Sequence, residues 1–279
     1  MTLGHGVYFL TTCTARKSRV PAPEFLFRNA PSFEDWRGRR SEQLLAARDL
    51  YQGDNAHQAL DGPEFWGKET IERRVISAGF GLLDWDSKIS AYSATFQRGH
   101  EDSIDRVEKP RSWWNHFPGV AELARQKPQT PILIAAGEVY VNAMLDDLLA
   151  ARNSLEDPAD LMILSAGCRN FGELNDNLLP ASADFRPAVG GTLSALNVRL
   201  ANWLLRQNPV DPRASLERLR ALTNPEPRPN RSKRTDSEVA AYIRGNAVVE
   251  RTPLLRKFRS AGHACGESRF NRIYKMIIT

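Results

Sequence analysis

The sequence predicts an α/β fold: a doubly wound, mostly parallel sheet flanked by helices, followed by a small C-terminal helical module. Three observations point there. Short apolar runs alternate with amphipathic helical patterns as far as residue 222. The runs are continuous rather than alternating, as expected of strands covered on both faces. The basic excess gathers at one end of the chain. With 279 residues, 42% hydrophobic and 25% charged, the chain has ordinary globular composition, which excludes wholly disordered, collagen-like and coiled-coil classes.

The strand-like runs are residues 7–10, 75–76, 132–136 and 161–164. Helical patterns cover 41–50, 120–126, 138–152, 192–207 and 212–222. Residues 97–118 are polar and irregular apart from Trp113 and Trp114, and read as a long functional loop. Residues 1–223 thus read as one α/β catalytic-type domain. Residues 224–234 are rich in proline and basic side chains, which argues for an extended linker or basic arm. In 235–279, Thr235 and Asp236 supply a cap for a helix over 237–244. Pro253 then opens a second helix, and a third follows a turn containing Gly262 and Gly266. Helix, glycine turn and helix, with Arg269 and Arg272 on the last, resembles a helix-turn-helix DNA-binding module.

Charge becomes informative when divided. Residues 225–279 hold 12 Lys/Arg against 5 Asp/Glu, a net of +7; residues 1–224 hold 26 against 28, a net of −2. A near-neutral body with a basic module predicts a polyanion partner, double-stranded DNA before others. No run of 18 apolar residues suggests a membrane span. The start of the chain does not read as a secretory leader, and Cys13, Cys168 and Cys265 are too far apart for a disulfide framework or a metal pair. The five histidines lack metal-ligand spacing. The expectation is a cytoplasmic protein with no metal and no cofactor; the oligomeric state stays open.

Four strand exits carry small residues: Thr11 to Thr14, Ser77 to Gly79, Ala135 to Gly137 and Ser165 to Gly167. Small residues there let a ligand approach the backbone, and open α/β sheets bind ligands at the carboxyl ends of their strands. Asp84 and Glu138 are the candidate catalytic carboxylates. Asp84 follows two glycines past a strand, with Tyr92 and Phe96 beyond, and Glu138 opens a helix at another exit. Cys13, Ser77, Phe80, Tyr92, Tyr140 and Ser165 are candidates to line a base pocket. Lys17 and Thr192, the latter following two glycines before a helix, are candidate phosphate contacts. Arg231, Lys233, Arg234, Arg256, Lys257, Arg269 and Arg272 are candidate contacts to the DNA backbone.

Four blocks carry a resemblance. Residues 12–17 (TCTARK) look like the Cys-Ser-x-x-Lys opening of a bacterial YaaA-like domain family associated with peroxide stress. The likeness continues at 47–51 (ARDLY), at 76–84 (ISAGFGLLD) with Ile89 and Tyr92, and at 136–140 (AGEVY). It spans about residues 7–208 and departs in a long insertion between Lys17 and Ala47. It implies a fold similar to uracil-DNA glycosylases, among whose distant relatives is a phage-defence type that excises a modified base from viral DNA. The Asp-Pro-Tyr and His-Pro-Ser glycosylase motifs are absent, so their catalytic residues do not carry over.

The leading expectation is a DNA glycosylase that flips out and hydrolyses the N-glycosidic bond of a modified base, as in defence against phage DNA. The alternatives are a non-enzymatic DNA-binding stress protein and a deoxyribosyltransferase-like enzyme on free nucleotides.

Overall fold

A computed structural model describes residues 6–39, 41–60, 71–167, 170–222, 231–246 and 248–278. The chain divides into two compact units, Met1–Asn224 and Pro225–Thr279. Cys168 and most of the proline-rich arm (223–230) lie outside the described residues.

The first unit is a six-stranded sheet. Its strands are β1 (Val7–Thr12), β2 (Ile71–Ser77), β3 (Gly81–Asp84), β4 (Ile132–Ala135), β5 (Leu161–Ser165) and β6 (Leu178–Pro180), in the spatial order β3-β2-β1-β4-β5-β6. All pairings are parallel except β2 with β3. Every residue of β4 and β5 is buried, as are the first five of β1. These apolar strands can only sit centrally, with helices on both faces. β2 starts more polar, with Glu72, Arg73 and Arg74 half-buried between β1 and the edge strand β3. The predicted doubly wound α/β class is the observed one.

Among the described residues, the α-helices of five or more residues in this unit are α1 (Phe33–Gly38), α2 (Asp54–Leu60), α3 (Pro110–Trp114), α4 (Val120–Gln126), α5 (Glu138–Ala143), α6 (Leu145–Ser154), α7 (Leu196–Gln207) and α8 (Leu216–Ala221). Three expectations change. The helix expected over 41–50 is a short strand, Leu44–Ala46, pairing antiparallel with Lys88–Ser90 and running into one helical turn, Ala47–Leu50. Strand pairing overrides a local helical pattern there. The helix expected over 138–152 breaks at the fully buried Met144 into α5 and α6. Finally, the 97–118 segment is not an open loop. Trp113 and Trp114 on α3 are fully buried, and their indole N–H groups donate to the Ala78 carbonyl and to Asp147 Oδ2, both at 2.8 Å.

The turn joining β2 to β3 is held by those aromatics. Its buried carbonyls need donors. Trp113 supplies one for Ala78, and the Trp36 indole donates to Gly79 O at 2.7 Å. Gly81 has φ +73°, and a Cβ there would lie 2.5 Å from the Phe117 side chain. Only glycine fits.

The second unit has its own small core of Val239, Ile243, Leu254, Leu255, Phe258, Phe270 and Ile273. Its helices are α9 (Asp236–Arg244), α10 (Arg251–Ser260) and α11 (Glu267–Ile278). Thr235 caps α9 in a reciprocal box with Glu238. The connection from α10 to α11 is longer than the tight turn of a helix-turn-helix. Within it His263–Ala264 pairs in parallel with Ser232–Lys233, so the end of the expected linker is docked onto this unit as structure.

Hydrogen bonds from the Thr235 backbone and side chain, with Arg234 beside them, depress the Glu238 carboxyl from 4.5 to about 2. A carboxyl depressed in the folded state stabilises above its unfolded pKa. That contribution should therefore be complete above pH 4.5 and be lost as pH falls from there toward 2. Unfolding followed by circular dichroism across this window should show the loss in the wild type and a flatter profile in Glu238→Gln.

Candidate functional site

β1 leads to β2 on one side and, later, the chain returns to β4 on the other. The carboxyl ends of β1 and β4 therefore flank the point where strand order reverses, where a doubly wound sheet opens a crevice. Cys13 leaves β1 there, with its backbone N–H on Ile76 O at 2.8 Å. Tyr140, on the first turn of α5 after β4, sets its hydroxyl 3.3 Å from Cys13 Sγ. The Tyr92 hydroxyl donates to the same sulfur at 3.5 Å. Tyr92 also bonds Ser77 Oγ at 2.7 Å and Tyr51 OH at 2.9 Å. Ser77 Oγ in turn accepts the Phe80 N–H at 3.1 Å. Four of the six expected pocket residues (Cys13, Ser77, Tyr92 and Tyr140) thus share one hydrogen-bond chain, and Phe80 packs edge-on to Tyr92 at 4.9 Å. Ser165 is fully buried at the end of β5.

Sequence reasoning left out Tyr51, the buried end of the chain that bonds the Tyr92 hydroxyl. Its signal was the 47–51 block and its position opposite Lys17, to which it is bridged through the backbone. Burial pushes the Tyr51, Tyr92 and Tyr140 phenols well above their ordinary range. They therefore keep their protons at neutral pH and serve as hydrogen-bond donors, not as bases. Tyr92→Phe should cost about 1–3 kcal/mol, because it strands the Ser77 and Tyr51 hydroxyls in the interior. Urea denaturation checks this; an unchanged midpoint would mean water replaces the phenol.

Lys17 is half-buried beside this chain. Its Nζ stands 4.3 Å from the centre of the Tyr92 ring and donates to Thr14 O at 3.2 Å. Burial lowers its proton affinity, with Cys13 opposing.

The two expected carboxylates part company. Asp84 does not reach the crevice. It lies on the exposed edge strand β3, in register with Arg74 rather than Ser77, and is ion-paired to that arginine. Its neighbour Asp86 is likewise exposed and pairs with Arg48 at 2.7 Å. Charges on an edge strand discourage pairing with other chains, a sufficient reason for a carboxylate there. Glu138, exposed at the start of α5, does reach a groove. That groove has a volume of about 590 Å³ and is lined by Phe96, Arg98, Lys109, Arg111, Glu138 and Asn142 among others. Phe96 packs edge-on against Tyr140 at 5.2 Å, so groove and hydroxyl chain share a wall. At the β5 exit, a Cβ on Gly167 would lie 3.1 Å from Glu138 Oε2; the glycine leaves room for the carboxylate.

Thr192 is also displaced from its expected role. Its hydroxyl donates to Asp54 Oδ2 at 3.2 Å, and the same carboxylate holds Arg199 at 3.0 Å. A carboxylate at that position repels phosphate, so Thr192 belongs to a structural bridge between α2 and α7.

In the C-terminal unit, basic side chains sort by partner. Asp236 takes Arg269, through Nε at 2.6 Å, and Arg272 at 3.0 Å; Glu238 takes Arg234 at 2.9 Å. Arg231 donates to Arg259 O at 3.1 Å and Lys257 to Asn246 Oδ1 at 3.3 Å. Arg256 is exposed. Arg231, Lys233, Arg259 and Arg269 surround a hollow of about 370 Å³. Arg259 was not among the expected contacts.

Among the described residues no three of His, Cys, Asp and Glu converge as a metal site, and no helix is long and apolar enough to cross a membrane. No protein-family model matches the chain, and no curated protein matches it.

Proposed function

We propose that the chain is a DNA glycosylase that hydrolyses the N-glycosidic bond of a modified base. The observation that carries this reading is Glu138 at the wall of a groove rimmed by Arg98, Lys109 and Arg111, at the point where strand order reverses. Extruding a base from the duplex costs a few kcal/mol, and a groove of some hundreds of Å³ accommodates one nucleotide. Glu138 would align water and stabilise the oxocarbenium-like sugar. Of the rim cations Lys109 would take a flanking phosphate most readily, since Arg98 and Arg111 share their charge with Asp105 and Asp146. The basic C-terminal unit would grip the DNA backbone by charge, with Lys233 and Arg256 freest to do so, since Arg269 and Arg272 share their charge with Asp236.

The test is to incubate the full chain with modified phage DNA and with ordinary DNA, then reveal abasic sites by alkaline cleavage. Strand breaks confined to the modified DNA are the expected result. Salt should weaken binding steeply, with a log–log slope of about −0.9 per phosphate contacted. Base release from free nucleosides alone would favour the transferase alternative. Binding without abasic sites on either DNA would favour a non-enzymatic role.

A further inference from the structure

Lys17 differs from the two arginines of the groove. Arg98 and Arg111 have acidic partners, Asp105 and Asp146, each at 3.6 Å. Lys17 has aromatic faces instead, Tyr92 at 4.3 Å and Tyr51 at 5.6 Å, and its hydrogen bond goes to the Thr14 carbonyl. Among the described residues no carboxylate pairs with it. Its position is set by backbone. Lys17 bridges to Tyr51, Ser18 N donates to Leu50 O at 2.8 Å, and Gln52 N donates to Arg16 O at 3.0 Å. The backbone at Lys17 is thereby fixed just past the end of β1, and the bond to the Thr14 carbonyl holds the amine beside it.

The groups that titrate around it are Cys13, Tyr51 and Tyr92. The two phenols stay protonated and supply no charge to hold the ammonium form; Cys13 favours that form, and burial outweighs it. A partly desolvated lysine without a counter-carboxylate is the environment in which an amine becomes a nucleophile toward carbonyl carbon.

We propose that Lys17 forms a Schiff base with an aldehyde, namely the C1′ aldehyde of the base-free deoxyribose in DNA. The inference rests on the base-excision reading above. The nitrogen lone pair adds to the aldehyde carbon, the carbonyl π pair moves onto oxygen, and that oxygen takes a proton from nitrogen. The resulting hydroxyl leaves as water with the remaining N–H proton, and a C=N bond closes. Addition of water reverses the sequence.

The experiment uses the full chain, a duplex oligonucleotide carrying a preformed abasic site, and sodium borohydride to reduce any C=N bond. One covalent adduct is expected, mapped to Lys17 by peptide mass spectrometry, and lost in Lys17→Arg at unchanged melting temperature. No adduct, or an adduct on another amine of the wild-type chain, overturns the proposal. Mapping on the wild type keeps the test decisive if the variant does not fold. Because the abasic site is supplied ready-made, failure here is distinct from failure of base release. A Lys17 adduct without base release would uphold the amine's role and remove the excision step.

Discussion

Glu138→Gln is expected to slow base release about a hundred- to ten-thousand-fold, the range that a positioned general base contributes. The same change should move the melting temperature little. Glu138 is exposed and makes no ion pair among the described residues, and glutamine preserves its shape. What it loses is one negative charge on the first turn of α5, worth about 0.3–1 kcal/mol at a helix start. Asp84→Asn is the matched control. It removes a carboxylate from the exposed rim of β3, at the cost of a surface ion pair with Arg74, and base release should stay at the wild-type rate. Rates from single-turnover cleavage of a modified duplex decide the matter. Full activity in Glu138→Gln would remove Glu138 from the chemistry, and a large loss in Asp84→Asn would move the site to the sheet edge.

The second large effect concerns stability. Trp113→Ala should destabilise the α/β unit by about 3–5 kcal/mol, the usual range for truncating a buried aromatic. Trp113 is fully buried, with Phe27 and Phe33 both edge-on at 5.0 Å. Its truncation also leaves the Ala78 carbonyl without the indole donor, just after Ser77 enters the crevice. Trp113→Phe separates these terms. It restores most of the packing but not the donor, so its loss should be nearer the roughly 1–3 kcal/mol of an unsatisfied buried polar group. Denaturant titration monitored by fluorescence and far-ultraviolet circular dichroism measures both variants. Equal losses in the two would mean the hydrogen bond, not the cavity, dominates.

The sheet was legible from the sequence wherever strands were apolar throughout. Runs such as ILIA and LMIL have no polar side that could face solvent, so burial on both faces was their only stable outcome. The break at Met144 was not legible, because Val141, Met144, Leu148 and Ala151 keep a helical apolar period straight through it. Nor was the short strand Leu44–Ala46, whose partner Lys88–Ser90 lies far along the chain. The tryptophan pair misled for a related reason. A polar, irregular segment around Trp113 and Trp114 looks like a loop, until the turn carbonyls that need those indoles come into view.

The candidate site divides along the same line. Residue types at strand ends are local information, and the choice of Cys13, Ser77 and Tyr140 as candidates came from it; that they share one hydrogen-bond chain is a tertiary fact. What the sequence alone determined is therefore the α/β class, the small-residue strand exits and the separation of a near-neutral body from a basic C-terminal unit, since composition and periodicity are properties of contiguous residues. Only the tertiary structure decided which carboxylate has a groove. Asp84 and Glu138 look alike in sequence, each just past an apolar run. The antiparallel return of β3 turns Asp84 back toward Arg74 at the sheet edge, while the parallel placement of β4 beside β1 carries Glu138 to the reversal point with Tyr140. Strand direction and neighbour order depend on contacts between distant segments, and no local pattern encodes them.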